Sequence, residues 1–157
     1  MASRTGFPGT ATNTTHLASE DNSLPGGWIG YAEITADSSA ITTLVDISGL
    51  SQAVTVNTNR KIRITVDLLL DGALDNTVDI YIREGSTTLR RRRFGYPTSD
   101  AQSPVHFTHD FNPTSGSHTY KVSALRASGA STNVVKADSG TTWGPSSITI
   151  EDIGPSS

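Results

Sequence analysis

The sequence predicts an all-β fold: a single antiparallel β-sandwich, jelly-roll-like, with an extended arm at its N-terminus. Short runs rich in Val, Ile and Thr are separated by Gly, Asp, Asn and Pro, which is typical of strands and turns rather than helices. About eight to ten such runs follow one another at the spacing expected of two packed sheets. In several of them apolar and polar residues alternate with period two.

The 157 residues divide into a polar arm, residues 1–24, and a compact domain, residues 25–157. The domain starts at a turn predicted from the Pro-Gly-Gly sequence at 25–27. Such an arm is either disordered alone or laid on a neighbouring subunit, and we favour the second. Its candidate anchors are the three large apolar side chains Phe7, Leu17 and Leu24.

The clearest predicted strand covers residues 61–70. Ile62, Ile64, Val66, Leu68 and Leu70 point to one side of it, and polar residues point to the other. A break is predicted at 49–51, between two separate strands. The remaining predicted strands cover 28–34, 41–45, 54–56, 78–83, 87–94, 105–111, 120–124, 134–135 and 147–153.

Charge and composition argue against several classes of function. A net charge of -3 gives no general case for nucleic-acid binding or for attraction to an anionic membrane. The chain has no cysteine, which excludes disulfides, thiolate metal sites and cysteine catalysis. No apolar run approaches the ~18 residues of a membrane span, and the N-terminus has no hydrophobic signal segment. We therefore expect no membrane insertion and no signal-directed secretion.

From the sequence we expect that the protein is not an enzyme and that it binds no cofactor. It contains no nucleophile-elbow, phosphate-loop or zinc-protease motif. His106 and His109 are three residues apart in a predicted strand, so they point to opposite faces and are poorly placed to chelate one metal. Aspartates recur every fourth residue from Asp67 to Asp79 across a strand, a loop and a strand. Turn chemistry explains the loop members better than a calcium site, which stays the alternative.

Four consecutive arginines, Arg90 to Arg93, lie in one predicted strand. Only alternate members share a face, and a buried guanidinium needs a carboxylate partner. We favour a subunit interface containing Arg91 and Arg93, paired with Asp or Glu of a neighbouring copy. A plain solvent-exposed strand and a nucleic-acid site are the alternatives, and the scarcity of nearby aromatic residues weakens the second of these.

A sugar-binding site could be lined by three aromatic residues, Trp28, Tyr31 and Trp143. In a small sandwich such residues more often belong to the core, and we predict that they are buried. If the chain binds a ligand, Trp143, in a Gly- and Thr-rich loop, is the first candidate for a ligand-facing residue.

Several segments carry a resemblance to a known family. They are LPGGWIGYA (24–32), ITT (41–43), DISGLS (46–51), RKIRIT (60–65), IREGSTTL (82–89), TSGSHTYK (114–121) and IEDIGP (150–155). In this order they are similar to a family of virion proteins of tailed phages that infect actinobacteria, usually described as minor tail or structural proteins. The resemblance covers residues 24 to 155, and the run at 90–93 departs from it.

The resemblance implies a small β-sandwich displayed on a phage particle, with no catalytic residues. Analogy with tumour-necrosis-factor-like heads implies a homotrimer. We therefore expect a non-enzymatic virion protein, made in the bacterial host cytoplasm and held by its arm to capsid or tail proteins. It would serve as a capsid decoration or as a tail or fibre component. The alternative is a tail module that binds a glycan or receptor on the host cell wall.

Overall fold

The computed structural model describes residues 25–96, 101–139 and 142–156. These residues form strands and turns, and none of them belongs to a helix that is long and apolar enough to cross a membrane. The strands are β1 (Gly27–Ile34), β2 (Val45–Val56), β3 (Arg60–Gly72), β4 (Thr77–Glu84), β5 (Thr87–Gly95), β6 (Ala101–Phe111), β7 (Gly116–Ser128), β8 (Val134–Lys136) and β9 (Ser146–Pro155).

Two antiparallel sheets make up the fold. The first sheet has the order β1-β9-β3-β6, with the short β8 beside the end of β3, and the second sheet has the order β2-β7-β4-β5. If the eight long strands are lettered in chain order from B to I, the sheets read B-I-D-G and C-H-E-F. That order is the jelly roll, so the predicted antiparallel, jelly-roll-like β-sandwich is confirmed, while the predicted arm lies outside the described residues.

The core lies between the sheets and is built from alternating residues of the inner strands. The five apolar residues predicted to share one side of β3 are all buried. They meet Val78, Ile80 and Ile82 of β4 and Tyr120 and Val122 of β7. Each such side chain contributes roughly 1.5–3 kcal/mol when it leaves water, so this layer is the main source of stability.

Two sequence-based predictions about the first half of the chain are wrong. Residues 41–45 are not a strand: Ile41 makes only an isolated bridge to Asn133, and β2 begins at Val45. The chain also does not break at 49–51. Asp46 lies opposite Ser123 and Ser51 opposite Lys121, so four residues of β2 bulge out against one residue of β7. Gly49, at a φ of 92°, permits the bulge, which a glycine in a strand can indicate.

A buried ion pair closes one end of the sandwich. Arg60 at the start of β3 donates from Nε to both carboxylate oxygens of Asp152 on β9, at 3.0 and 2.7 Å. The backbone N–H of Gly154 donates to the same carboxylate at 3.0 Å. Both side chains are almost fully removed from water, so the Asp152 carboxylate depends on the Arg60 guanidinium as a charged partner.

We predict that Arg60→Met lowers the free energy of unfolding by about 3 kcal/mol, because it leaves the Asp152 carboxylate buried without its charged partner. Lys61→Met is the matched control, since it removes a cation from the next residue on the outer side of β3. Urea unfolding of both variants measures the difference. Equal effects of the two substitutions would contradict this role for the buried pair.

Candidate functional site

The arginine run occupies β5, an edge strand that pairs with β4 and with no other described strand. Arg91 lies opposite Tyr81 and Arg93 opposite Asp79, on the outer face of the second sheet. Arg90 and Arg92 lie opposite Ile82 and Ile80 on the other side. The predicted division of the arginines between two faces is therefore confirmed, while the predicted subunit interface stays a prediction.

The Asp79 carboxylate lies beside both outward arginines. Its side chain is only 1 % exposed, although it lies on the outer side of β4. Arg93 donates to both of its carboxylate oxygens, at 2.7 and 2.9 Å, and the Arg91 guanidinium lies 3.8 Å away. The hydrogen bond from Arg93 holds the pKa of the Asp79 carboxyl below its usual range, although burial acts in the opposite direction. One carboxylate therefore fixes the Arg93 guanidinium by two hydrogen bonds and lies near that of Arg91, and both arginine side chains are 59 % exposed.

A second ion cluster lies on the same outer face, beside the bulge of β2. Asp46 accepts hydrogen bonds from Lys121 and Ser123, both at 2.6 Å, and lies 3.6 Å from Arg83. An open depression of about 360 Å³ adjoins this cluster. We call the outward cations of the second sheet the basic face: Arg83, Arg91, Arg93 and Lys121. Only Asp46 and Asp79 offset these four cations on the described outer surface of this sheet, so a surplus of positive charge remains.

Trp28 and Tyr31 form an exposed aromatic pair on β1, and the prediction that they are core residues is wrong. Trp28 is 70 % and Tyr31 42 % exposed. Their ring planes lie within 8° of each other, with centroids 6.1 Å apart. Three positions apart, they would point to opposite faces of a regular strand, but a bulge between Trp28 and Gly30 brings both to the outer face of the first sheet. No alternation pattern in the sequence reveals that bulge.

The polar ends of both rings are already bonded. Trp28 donates from Nε1 to Glu151 at 2.9 Å, and the Tyr31 hydroxyl donates to Glu33. The hydrogen bond to Glu33 is the main cause that raises the pKa of the Tyr31 phenol above its ordinary value. These bonds occupy the polar edges of the rings, and because the rings stack on each other, one face of each is turned towards its partner.

Trp143 lies in the connection between β8 and β9, away from the other two aromatic residues. It is exposed, so its predicted burial is also wrong. The Asp138 carboxylate holds this loop by accepting the backbone N–H groups of Thr142, Trp143 and Gly144 at 3.0 to 3.1 Å. Trp143 precedes the start of β9, whereas Trp28 pairs with Glu151 near the far end of the same strand. The three residues therefore do not form one sugar site.

His118 makes a buried contact that the sequence did not reveal. Its Nε2 donates to the Thr114 carbonyl oxygen at 2.8 Å, and its Nδ1 lies 2.7 Å from a Glu84 carboxylate oxygen. Burial acts to lower the pKa of His118, but the hydrogen bonds and the Glu84 charge outweigh it, so the pKa is raised. The ring also stacks on Tyr120, 5.7 Å between centroids. Glu84 and His118 are too far apart in the chain for any local motif to connect them.

The other histidines and the spaced aspartates do not converge. His106 lies opposite Asp67 and His109 opposite Ile64, so they occupy opposite faces as predicted. Asp75 adopts a positive φ of 68° in a turn, which agrees with turn chemistry. Across the described part of the chain, no three His, Asp or Glu side chains group as metal ligands would.

The predicted arm anchors Phe7, Leu17 and Leu24 lie outside the described residues. Their role in attachment to a larger body therefore stays a prediction.

No protein-family profile and no curated protein matches the chain. Among solved structures, the insecticidal delta-endotoxin Cry8Ea1 from Bacillus thuringiensis is 14 % identical, with a TM-score of 0.45 over 73 % of this chain and 19 % of that one. A structure of infectious bursal disease virus, Gt strain, is 10 % identical, with a TM-score of 0.43 over 84 % and 38 %. The VP2 subviral particle of infectious bursal disease virus is 14 % identical, with a TM-score of 0.32 over 80 % and 38 %.

The chain thus spans well under half the length of each of these structures. With such identities and with TM-scores below 0.5, the likenesses carry no argument about function.

We predict that the stability of the fold falls as pH rises above the ordinary histidine range. A raised pKa means that folding favours protonated His118, so its contribution is fully present below about pH 6.5 and is lost as pH rises through the raised pKa. His118→Gln should remove this part of the pH dependence, and His106→Gln, on an exposed side chain, should keep it. Urea unfolding between about pH 5 and pH 9 measures it. Identical pH profiles for the wild type and His118→Gln would refute the prediction.

Proposed function

We propose that this protein is a non-enzymatic structural module of a phage particle that associates with copies of itself through its basic face. The assignment to a phage particle rests on the resemblance of residues 24 to 155 to phage virion proteins. The jelly roll is compatible with this role and does not require it. The observation that carries the self-association is the arrangement of Arg91 and Arg93 around the buried Asp79 carboxylate.

This arrangement suits a binding surface because it restricts groups that would otherwise be mobile. A free surface arginine loses much side-chain entropy when it is immobilised in a complex. Arg93 is already fixed by two hydrogen bonds, yet more than half of its side chain remains exposed. A planar guanidinium held in this way is prepared to bind a carboxylate of a partner.

The basic face fits an acidic surface and repels another basic face. Two copies therefore do not join by like-with-like contact of this surface, and a head-to-tail contact is the arrangement that the charges support. Head-to-tail contacts that close generate rings, and a trimer is the smallest ring of this kind.

In this proposal, the arm attaches the module to a capsid or tail protein. It is polar and carries few apolar side chains, so it suits binding through main-chain hydrogen bonds with a small number of anchors. Phe7, Leu17 and Leu24 remain our candidates for those anchors.

We predict that Arg91→Glu lowers the mass of the protein in solution, because it reverses the charge of the group that faces the neighbouring copy. Arg93 is a worse position for this test, since its replacement removes two hydrogen bonds from the buried Asp79 carboxylate, whereas Arg91 makes only a 3.8 Å ion pair with it. The urea midpoint shows that the Arg91→Glu variant is folded. Light scattering measures the mass. Arg92→Glu is the matched control, with the same change of charge on the other side of β5. An unchanged mass for Arg91→Glu, or an equal loss in the control, would rule out this interface.

We also predict that deletion of residues 1–22 leaves the β-sandwich folded and abolishes its incorporation into particles. The core lies within residues 41–150, so the deletion removes none of its side chains. Circular dichroism checks the fold, and assembly with purified particles that lack the protein measures incorporation. Normal incorporation of the shortened chain would show that the arm is not the attachment point.

A further inference from the structure

The exposed aromatic pair belongs to a regular array of otherwise polar side chains on the outer face of the first sheet. The registers of β1, β9, β3 and β6 arrange twelve residues in three rows of four. We call this array the platform: Trp28, Glu151, Arg63 and Asp110 in one row; Tyr31, Thr149, Thr65 and Thr108 in the next; Glu33, Ser147, Asp67 and His106 in the third.

The two rings stack on each other, so each offers a ligand the face that points away from its partner. The Trp28 N–H and the Tyr31 hydroxyl are bonded to carboxylates of the platform, as described above. An aromatic face carries negative electrostatic potential and attracts weakly positive C–H groups. A pyranose ring presents such C–H groups on its faces and hydroxyls around its rim. The pair therefore matches the flat side of a sugar ring.

The rest of the platform matches the rim of a sugar. Beside the rings lie the hydroxyls of Thr149, Ser147 and Thr65, followed by the largely exposed side chains of Asp67 and His106. Hydroxyls, carboxylates and imidazoles donate and accept the hydrogen bonds that sugar hydroxyls require. Short hydroxyl side chains at strand spacing give a shallow surface on which an extended oligosaccharide can lie.

A protein partner fits this surface less well. The centre of a protein interface is apolar and poor in charged residues, whereas the rings here are surrounded by polar and charged side chains in every row. The carboxylates Glu33, Glu151 and Asp67 also disfavour an anionic ligand. We propose that the platform binds a neutral oligosaccharide, with pyranose rings against Trp28 and Tyr31 and their hydroxyls bonded to the neighbouring strands.

The place of the platform in the fold is compatible with assembly through the basic face. Trp28 and Tyr31 lie on β1 at one edge of the first sheet, and β6 forms the opposite edge of that sheet. The basic face belongs to the other sheet. The oligosaccharide site thus goes beyond the proposed structural role, and either can fail without the other.

The test uses the full chain, isothermal titration calorimetry and a panel of neutral hexasaccharides: cellohexaose, chitohexaose, mannohexaose and maltohexaose. Hexagalacturonic acid serves as the anionic comparison. We expect binding of at least one neutral member and weaker binding of the acid. Trp28→Ala should weaken the binding at least about tenfold, and Tyr31→Ala should do the same. Trp143→Ala is the matched control and should leave the affinity unchanged, because Trp143 lies outside the platform.

A conservative variant and a stability measurement distinguish the loss of a binding surface from the loss of the fold. Trp28→Phe keeps an aromatic face and should retain most of the affinity, and the urea midpoint of each variant shows whether it is folded. The proposal is overturned if no neutral member of the panel binds, or if Trp28→Ala binds as well as the wild type. A Trp28→Ala variant that keeps its sugar affinity but has a lower mass in light scattering would show instead that the pair is a contact between copies.

Discussion

The period-two alternation of β3 is the constraint on which the rest of the structure depends. This strand pairs with β6 along one side and with β9 and then β8 along the other, so it holds the first sheet together. Its inner residues fill the core, and its outer residues Arg63, Thr65 and Asp67 form a column of the platform. A slip of one residue would exchange these two faces, so the same register that buries the core also sets the surface chemistry.

Two edge strands of the sandwich carry different exposed side chains: arginines on β5 and an aromatic pair on β1. An edge strand leaves backbone groups unpaired, and charged side chains on it discourage uncontrolled pairing with other chains. The arginines of β5 do this at one edge, while two hydrogen bonds to the buried Asp79 hold Arg93 in a fixed position. At the β1 edge a bulge turns two aromatic rings outward. One molecule thereby presents a charged surface at one edge and an exposed aromatic pair at another.

The regular alternation of apolar and polar residues along the strands could be predicted from the sequence, whereas the β-bulges that interrupt it could not. The inner face of β3 and the split of the arginines on β5 follow from period two alone. The burial of Trp28 was predicted wrongly because the β1 bulge leaves no mark in the residue pattern. The bulge at Gly49 cannot be distinguished from a chain break in the sequence, since glycine indicates both. The contact of His118 with Glu84 depends on the pairing of β7 with β4, which local sequence does not encode.

Self-association through the basic face is the central claim, and the salt dependence of the oligomer tests it most directly. Sedimentation equilibrium of the full chain would be measured from about 20 mM to 1 M salt, over which the screening length falls from roughly 20 Å to about 3 Å. The account predicts a closed oligomer at low salt that dissociates as salt rises. A monomer at every salt concentration, or an oligomer that salt does not weaken, would contradict it.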